Sequence, residues 1–345
     1  MKAKLFVVML LLIVTLFWWW NWSEPVPTAV MPRPEVQQPE KVHQEAASAG
    51  PPVRLTVRHT ERTELRDSFR LLAQAYAEEL SYPPYSRPLL PEDEALLRPN
   101  DFIPQTVPLI EGASATVILD KYRFSYPESV YVRLEVSGLD VYDVRLQLTD
   151  EVTDKPLQTA VMQRSDRHWA ARVAGEASWQ GPLLVKVSFQ AKGRKQQLQA
   201  GIFYSNPVAT VIAVSEPGSA GSDLTIPVKL DVRQAGYYRL RANLFTADRQ
   251  PLAVLTQTQY LQNGSGELVL KAHKSVLSAE GPYLLTTLLL ERRPAIPGEP
   301  TLYGDSAQAE YQLEVHSLSS LSNETWQPDE QERQRLQFLQ QMAGG

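Results

Sequence analysis

A repeat restricts the fold of this chain more than any other feature. "VRLEVSGLDVYDVRLQLTDEVTDKPL" (Val132 to Leu157) lies beside "VKLDVRQAGYYRLRANLFTADRQPL" (Val228 to Leu252), offset by 228 − 132 = 96 at the start and 252 − 157 = 95 at the end. Further on, "WQGPLLVKVSF" (Trp179 to Phe189) lies beside "AEGPYLLTTLL" (Ala279 to Leu289), with 281 − 181 = 100 between the glycines. Three landmarks in one order at a nearly constant spacing describe a unit used twice. A period of roughly 100 residues is the size of a seven-strand β-sandwich.

The local pattern agrees with that unit. In "SVYVRLEVSG" Val130, Val132, Leu134 and Val136 alternate with Tyr131, Arg133 and Glu135, the mark of a half-buried strand. Alternation recurs in "VYDVRLQL", "LLVKVSFQ", "TIPVKLDV" and "YYRLRANL", and no helix-length apolar pattern interrupts it, so antiparallel sheets are expected. Each repeated Gly-Pro opens a strand, where the missing proline N–H costs no ladder bond and glycine permits the turn. The expected fold is mainly β: two sandwiches over 113–214 and 222–318, joined by "SEPGSAGSD" (Ser215 to Asp223).

The stretch "LDVRQAGYYRLRANLFTADRQPLAVLTQTQYLQNGSGELVLKAH…EGPYLLTTLLLE" (Leu230 to Glu291) resembles the bacterial immunoglobulin-like sandwich modules of surface and periplasmic proteins. The resemblance implies an architecture and a place outside the cytoplasm, and it transfers no catalytic residue. Neither copy carries the Cys…Trp…Cys core of antibody domains, because the chain has no cysteine.

The N-terminus gives the location. Lys2 and Lys4 precede an uncharged run from Leu5 through Leu16 to Trp18, Trp19 and Trp20, followed by Asn21, Trp22 and Glu24. The lysines place that end in the cytoplasm, and the tryptophans suit the headgroup zone better than a small-residue cleavage site. Residues 1–23 are therefore expected to be an uncleaved transmembrane anchor in a bacterial inner membrane, with the rest of the chain periplasmic. Without cysteine a lipidated anchor is ruled out. Residues 24–58, rich in Pro, Glu, Gln and Ala, cannot bury enough apolar surface to fold and read as a disordered linker.

Residues 59–112 hold one amphipathic helix, with Leu65, Phe69, Leu72, Tyr76 and Leu80 expected on one face, and a proline-rich strap. Pro83 and Pro84 end that helix; Tyr82, Pro83, Pro84 and Tyr85 read either as a strap on a domain surface or as a ligand for an aromatic groove. "FSYPESVY" (Phe124 to Tyr131) and Trp169 with Trp179 read either as an aromatic platform that would take sugar rings or as caps on a sandwich end. Residues 326–345 begin with Trp326 and Pro328 and end as a polar helix or tail, with Leu336, Leu339 and Met342 on one side.

No catalytic motif is present. The five histidines are scattered without metal-ligand spacing, and no nucleophile elbow, Walker loop or dinucleotide fingerprint occurs. "TDEVTD" (Thr149 to Asp154) and "DRHW" (Asp166 to Trp169) bring carboxylates together in loops that read as solvated rather than as calcium ligands. A net charge of −5 without basic clustering excludes nucleic acid as a natural partner. The chain reads as a non-enzymatic envelope protein without cofactor or metal. It would be held in the bilayer and present two β modules to another envelope protein; the alternative is a cell-wall or polysaccharide-binding module, and the third reading is an uncharacterised enzyme whose site residues are distant in sequence.

Overall fold

The computed structural model describes residues 57–277 and 280–344 of the 345-residue chain. The expected anchor, with Leu5, Leu16, Trp18, Trp19, Trp20 and Trp22, and the linker up to residue 56 lie outside the described residues. Among the described residues no helix is long and apolar enough to cross a membrane. In chain order the first elements are α1 (Val57–Glu79), β1 (Ser86–Pro88), α2 (Glu94–Leu97) and β2 (Thr106–Pro108). Next come β3 (Ser114–Leu119), β4 (Arg123–Ser125), β5 (Val130–Ser137), β6 (Tyr142–Asp150), β7 (Pro156–Val161), β8 (Gln163–Ser165), β9 (His168–Val173), β10 (Gly181–Ala191) and β11 (Arg194–Ser205). The second copy holds β12 (Ala209–Val214), β13 (Gly218–Ala220), β14 (Asp223–Val232), β15 (Gly236–Thr246), β16 (Pro251–Leu261), β17 (Gly264–His273), β18 (Gly281–Arg292), β19 (Leu302–Tyr303), β20 (Asp305–Ser306) and β21 (Glu310–His316). The chain ends in α3 (Glu330–Met342).

The fold is mainly β, with two hydrophobic cores that each lie between two sheets. Around the first core, the sheet β2-β3-β5-β9-β8 faces the sheet β4-β11-β10-β6-β7. Around the second, β12, β14 and β17, extended by β13 and β20, face β1-β16-β15-β18 with β19 and β21 on β18. The alternation seen in the sequence sets which side chains turn inward: Val130, Val132 and Leu134 of β5 and Leu183, Val185, Val187 and Phe189 of β10 are buried, with their neighbours facing out. The repeated Gly-Pro opens β10 and β18, and Gly181 takes φ +104°, a backbone setting that side chains resist.

Strand for strand the two copies correspond. β3, β5 and β9 form one layer and β7, β6, β10 and β11 the other; β12, β14 and β17 with β16, β15, β18 and β21 repeat that arrangement. Each copy also carries one short parallel pairing, β4 with β11 in the first and β20 with β12 in the second.

The boundary between copies differs from the expected one. Ala209–Val214 was assigned to the first sandwich, yet β12 pairs with β14 and its Ala209 and Val211 sit in the second core. Residues 215–222 are therefore a connection inside the second copy, where Gly218–Ala220 forms the small strand β13. The ladders agree: Val211 of β12 lies opposite Leu230 as Val117 of β3 lies opposite Leu134, which makes β12 the counterpart of β3 with 211 − 117 = 94.

The face of α1 also differs. Ala73 and Leu80 are buried and Phe69 and Tyr76 half-buried, but Leu65 and Leu72 are 55% and 52% exposed. The helix packs on α3 rather than on a sheet, and a helix partner covers only a narrow stripe. Arg335 lies over the Tyr76 ring at 6.0 Å and Gly344 beside Arg66, so the two helices run antiparallel. The C-terminal segment is thus a docked helix, opened by a capping box between Asp329 and Glu332 and anchored by buried Leu339.

Leu134 and Leu230 occupy equivalent, fully buried positions in the two cores, with 230 − 134 = 96. Leu134→Ala and Leu230→Ala should each cost about 2–5 kcal/mol, and the double variant should lose roughly the sum, because the side chains belong to separate cores. Urea unfolding followed by circular dichroism checks both statements.

Candidate interaction surfaces

The strap is built where the prolines stop α1. Ser86 N–H donates to the Pro83 carbonyl at 3.0 Å, which turns the chain onto the edge of the second sandwich. There β1 pairs antiparallel with β16 in the register Ser86↔Leu255, Arg87↔Val254 and Pro88↔Ala253. The pairing extends one residue each way: Thr256 N–H donates to Tyr85 O at 2.9 Å and Leu89 N–H to Leu252 O at 3.1 Å. Residues 85, 87 and 89 thus face β16, and Pro88 stands where its missing N–H points away from the ladder.

Side chains lock the strap in place. Ser86 is fully buried, and its Oγ accepts from His273 N–H at 3.0 Å. The Tyr85 hydroxyl donates to Asp223 Oδ1 at 2.9 Å, while Lys271 and Trp326 lie against its ring at 5.8 and 6.0 Å. Tyr82 packs on the second core and Pro83 is buried; only Pro84 of the four is exposed. Of the two readings of Tyr82, Pro83, Pro84 and Tyr85, the strap is the one the geometry takes, because these residues are already occupied within the chain.

The strap then crosses to the first sandwich. Asn243 Nδ2 donates to Leu96 O at 2.8 Å, holding α2 against β15. Asn100 grips Arg123 from both sides, its Oδ1 accepting from Arg123 N–H at 2.6 Å and its Nδ2 donating to Arg123 O at 3.0 Å. β2 then adds to β3. One segment therefore pairs with the second sandwich at one end and the first at the other.

Between the sandwiches lies a polar cleft of about 460 Å³, lined among others by Asn100, Lys121, Arg123, Glu128, Tyr303 and Asp305. Its groups satisfy one another. Lys121 pairs with Glu128 at 2.6 Å, Ser125 N–H donates to the same carboxylate at 2.8 Å, and the Arg123 guanidinium lies 5.7 Å from the Tyr303 ring. Phe203 of β11 meets Tyr303 of β19 edge-on at 5.0 Å. Burial holds the Asp305 carboxyl above its ordinary range, with a hydrogen bond from Ser306 N–H opposing. Across the cleft the two copies meet through Tyr303, which takes the Phe203 ring and the Arg123 guanidinium.

The tryptophan platform is not formed. Trp179 is 3% exposed, packed edge-on against Tyr204 at 5.2 Å in the first core, so its ring is closed to any sugar. Trp169 on β9 is half-buried against the same core. The loop carboxylates are also occupied: Asp150 Oδ1 accepts from Val152 N–H, Thr153 N–H and the Thr153 hydroxyl at 2.7–3.0 Å, which lowers its pKa, and Asp154 pairs with Lys186. Among the described residues no group of three His, Cys, Asp or Glu side chains is placed to hold a metal ion.

One surface had no signal in the sequence. Among the described residues the edge β7 pairs with β6 only, whereas its counterpart β16 is covered by β1. Thr159 and Val161 of this strand are exposed, Val161 to 68%, and Gln158 Oε1 is buried without a hydrogen-bond partner.

Residues 209–294 match the C-terminal domain of a family described as a domain of unknown function, DUF4785. The match begins at the first residue of β12, the start of the second copy. A DUF4785 family protein from Legionella pneumophila subsp. pneumophila is 19% identical with a TM-score of 0.44, over 60% of this chain and 57% of that one. The chain thus spans little more than half the length of that protein. Salmonella alpha-2-macroglobulin reacted with methylamine is 12% identical with a TM-score of 0.30, over 62% of this chain and 15% of that one. Escherichia coli alpha-2-macroglobulin activated by porcine elastase is 9% identical with a TM-score of 0.25, over 58% and 20% of the two chains. A comparison with curated proteins found no match.

The buried tyrosines give these packed surfaces a signature in alkali. Burial pushes the hydroxyls of Tyr204 and Tyr238 up to about 12, and raises those of Tyr283 and Tyr303; Tyr85 is raised by burial and then by its bond to Asp223. Each group holds its proton more tightly folded than unfolded. Stability is therefore complete below pH ~10 and falls as pH rises beyond it. Absorbance at 295 nm should rise in two phases, the second coinciding with loss of near-ultraviolet circular dichroism; Tyr85→Phe should leave a smaller second phase.

Proposed function

We propose that this chain is a single-pass envelope protein of a bacterial inner membrane. In this reading residues 1–23 are the anchor, the linker expected over 24–58 is the standoff, shortened by two residues because α1 begins at Val57, and two immunoglobulin-like sandwiches are presented in the periplasm to a protein partner. Several observations support the parts. The layers β3-β5-β9 and β7-β6-β10-β11, used twice, have the strand order of immunoglobulin-like modules. The cationic N-terminus and tryptophan rim favour an anchor facing outward.

The strap carries the reading. A flexible string of modules would bring each to a partner independently and lose orientation on binding. Here the segment that follows the standoff pairs with β16 and then with β3, so a pull or a tether at residue 57 acts on both sandwiches as one body. That is the mechanical requirement of a scaffold that holds a partner at a set distance and angle. No catalytic step is needed for it.

Because the chain has no cysteine, single-cysteine variants report topology without background. In intact cells with a permeabilised outer envelope, a membrane-impermeant maleimide should label Ser48→Cys and leave Ala3→Cys unlabelled, and the chain should stay with the membrane in alkaline carbonate. A mature chain that starts beyond Trp22, or labelling of Ala3→Cys, would overturn the anchor.

A further inference from the structure

We propose that the open edge of β7 is a strand-addition site for an extended partner peptide that carries a carboxylate. The inference deepens the protein-contact reading by naming the edge and the chemistry, and its test does not depend on the anchor.

The two copies supply the comparison. β7 and β16 are equivalent through their pairing: Leu148↔Gln158, Gln147↔Thr159, Leu146↔Ala160 and Arg145↔Val161 correspond to Leu244↔Ala253, Asn243↔Val254, Ala242↔Leu255 and Arg241↔Thr256. On β16 the residues that bond to the strap are Leu252, Val254 and Thr256. Their counterparts are Leu157, Thr159 and Val161. The even residues of β7 face β6, as the bond from Met162 N–H to Val144 O at 2.9 Å shows, so the backbone of 157, 159 and 161 faces outward.

Nothing on β7 discourages pairing. Exposed edges are usually blunted by lysine, proline or a bulge, and the strap blunts the second copy with Pro88. β7 has no charge, and its one proline, Pro156, is at the entrance. Beside it Gln158 Oε1 is buried and lacks a donor.

The chemistry of the partner comes from the hollow next to the edge. It measures about 500 Å³ and is lined by Val161, Gln163, Arg164, Tyr131 and Arg172 among others, with two arginines and no carboxylate. Arg172 lies over Tyr131 at 5.3 Å. In the second copy the strap residue opposite Thr256, Tyr85, reaches across to the other layer and bonds Asp223. The peptide residue opposite Val161 reaches Arg164 and Arg172 in the same way. With the sign reversed, the group that fits is an aspartate or glutamate.

The test uses the full chain and a synthetic peptide of the strap, Ser81 to Pro91 (SYPPYSRPLLP), with and without Tyr85→Glu in the peptide. Binding is read by fluorescence anisotropy and by amide hydrogen exchange of 157–161, with 252–256 as the internal control. The Tyr85→Glu peptide should protect 157–161, leave 252–256 unchanged, and bind at least about tenfold more tightly than the parent, the value of a charge-assisted hydrogen bond. That gain should vanish with Arg164→Ala and Arg172→Ala. N-methylation of the peptide's Arg87 should abolish protection. So should Thr159→Pro in the protein, which removes an outward N–H and spares the β6 ladder; an unchanged melting temperature shows that this variant folds.

Unaltered exchange at 157–161 with saturating peptide would overturn the proposal, as would equal binding by the N-methylated peptide. Protection that grows with protein concentration alone would overturn it too, by assigning the edge to a second copy. Each of these failures leaves the topology of the anchor untouched.

Discussion

A sheet edge is a row of backbone donors and acceptors that some partner must take, and the arrangement of this protein follows from how its edges are taken. β16 is closed by Ser86–Pro88, a segment that precedes the first sandwich in the chain and pairs with the second. To reach it, the chain must lie across the outside of β15 at Leu96 and then return to β3 through Asn100. The two sandwiches are consequently fixed by main-chain bonds from one strap, and the cleft contacts of Phe203, Arg123 and Tyr303 form in the seam that this path leaves. Without the strap, a short linker from Ser205 to Ala209 would be the main covalent constraint on their angle.

The copies also show how one topology tolerates different closures. In the first, β4 leaves the β3 side and runs parallel to β11; in the second, β20 approaches β12 from the far end of the chain. Both seal the side between the first and last strands, using opposite ends of the sequence. What is kept between copies is the core-facing alternation, Leu134 with Leu230 and Leu148 with Leu244, because volume in a close-packed interior leaves little slack. Edges and closures are free to vary, since hydrogen bonds to a backbone are indifferent to side chains.

That division explains what the sequence disclosed. Core strands were legible because burial imposes a period of two, and the repeat was legible because the same constraint acted twice. The start of the second copy is not legible because "ATVIAV" alternates equally well in either sandwich; only the ladder assigns it, with Val211 opposite Leu230 as Val117 is opposite Leu134. The destination of the strap was not legible, since a proline-rich segment pairs through its main chain and its composition names no partner. The burial of Trp179 is not legible locally, since a tryptophan in its context suits a sugar platform or a sandwich end equally; Tyr204, 25 residues on (204 − 179 = 25), closes over it. Leu65 and Leu72 share the apolar periodicity of α1 yet stay exposed, because the stripe that α3 covers is narrower than that periodicity.

The divergence at one pair of positions ties these threads together. Ala253 is fully buried beneath the strap, opposite Pro88, whereas its counterpart is Gln158, whose amide oxygen is buried without a donor. An alanine suits an edge already covered, since nothing polar is needed beneath a permanent strand. A glutamine at the same place carries a desolvation cost, on the order of 1–3 kcal/mol for an unmet acceptor, that a permanently dry edge would have no reason to keep. The same fold position thus lies under an internal fastening in one copy and holds an unmet buried acceptor in the other, and the asymmetry of the strap, which covers β16 and not β7, is what leaves the edge beside that acceptor open.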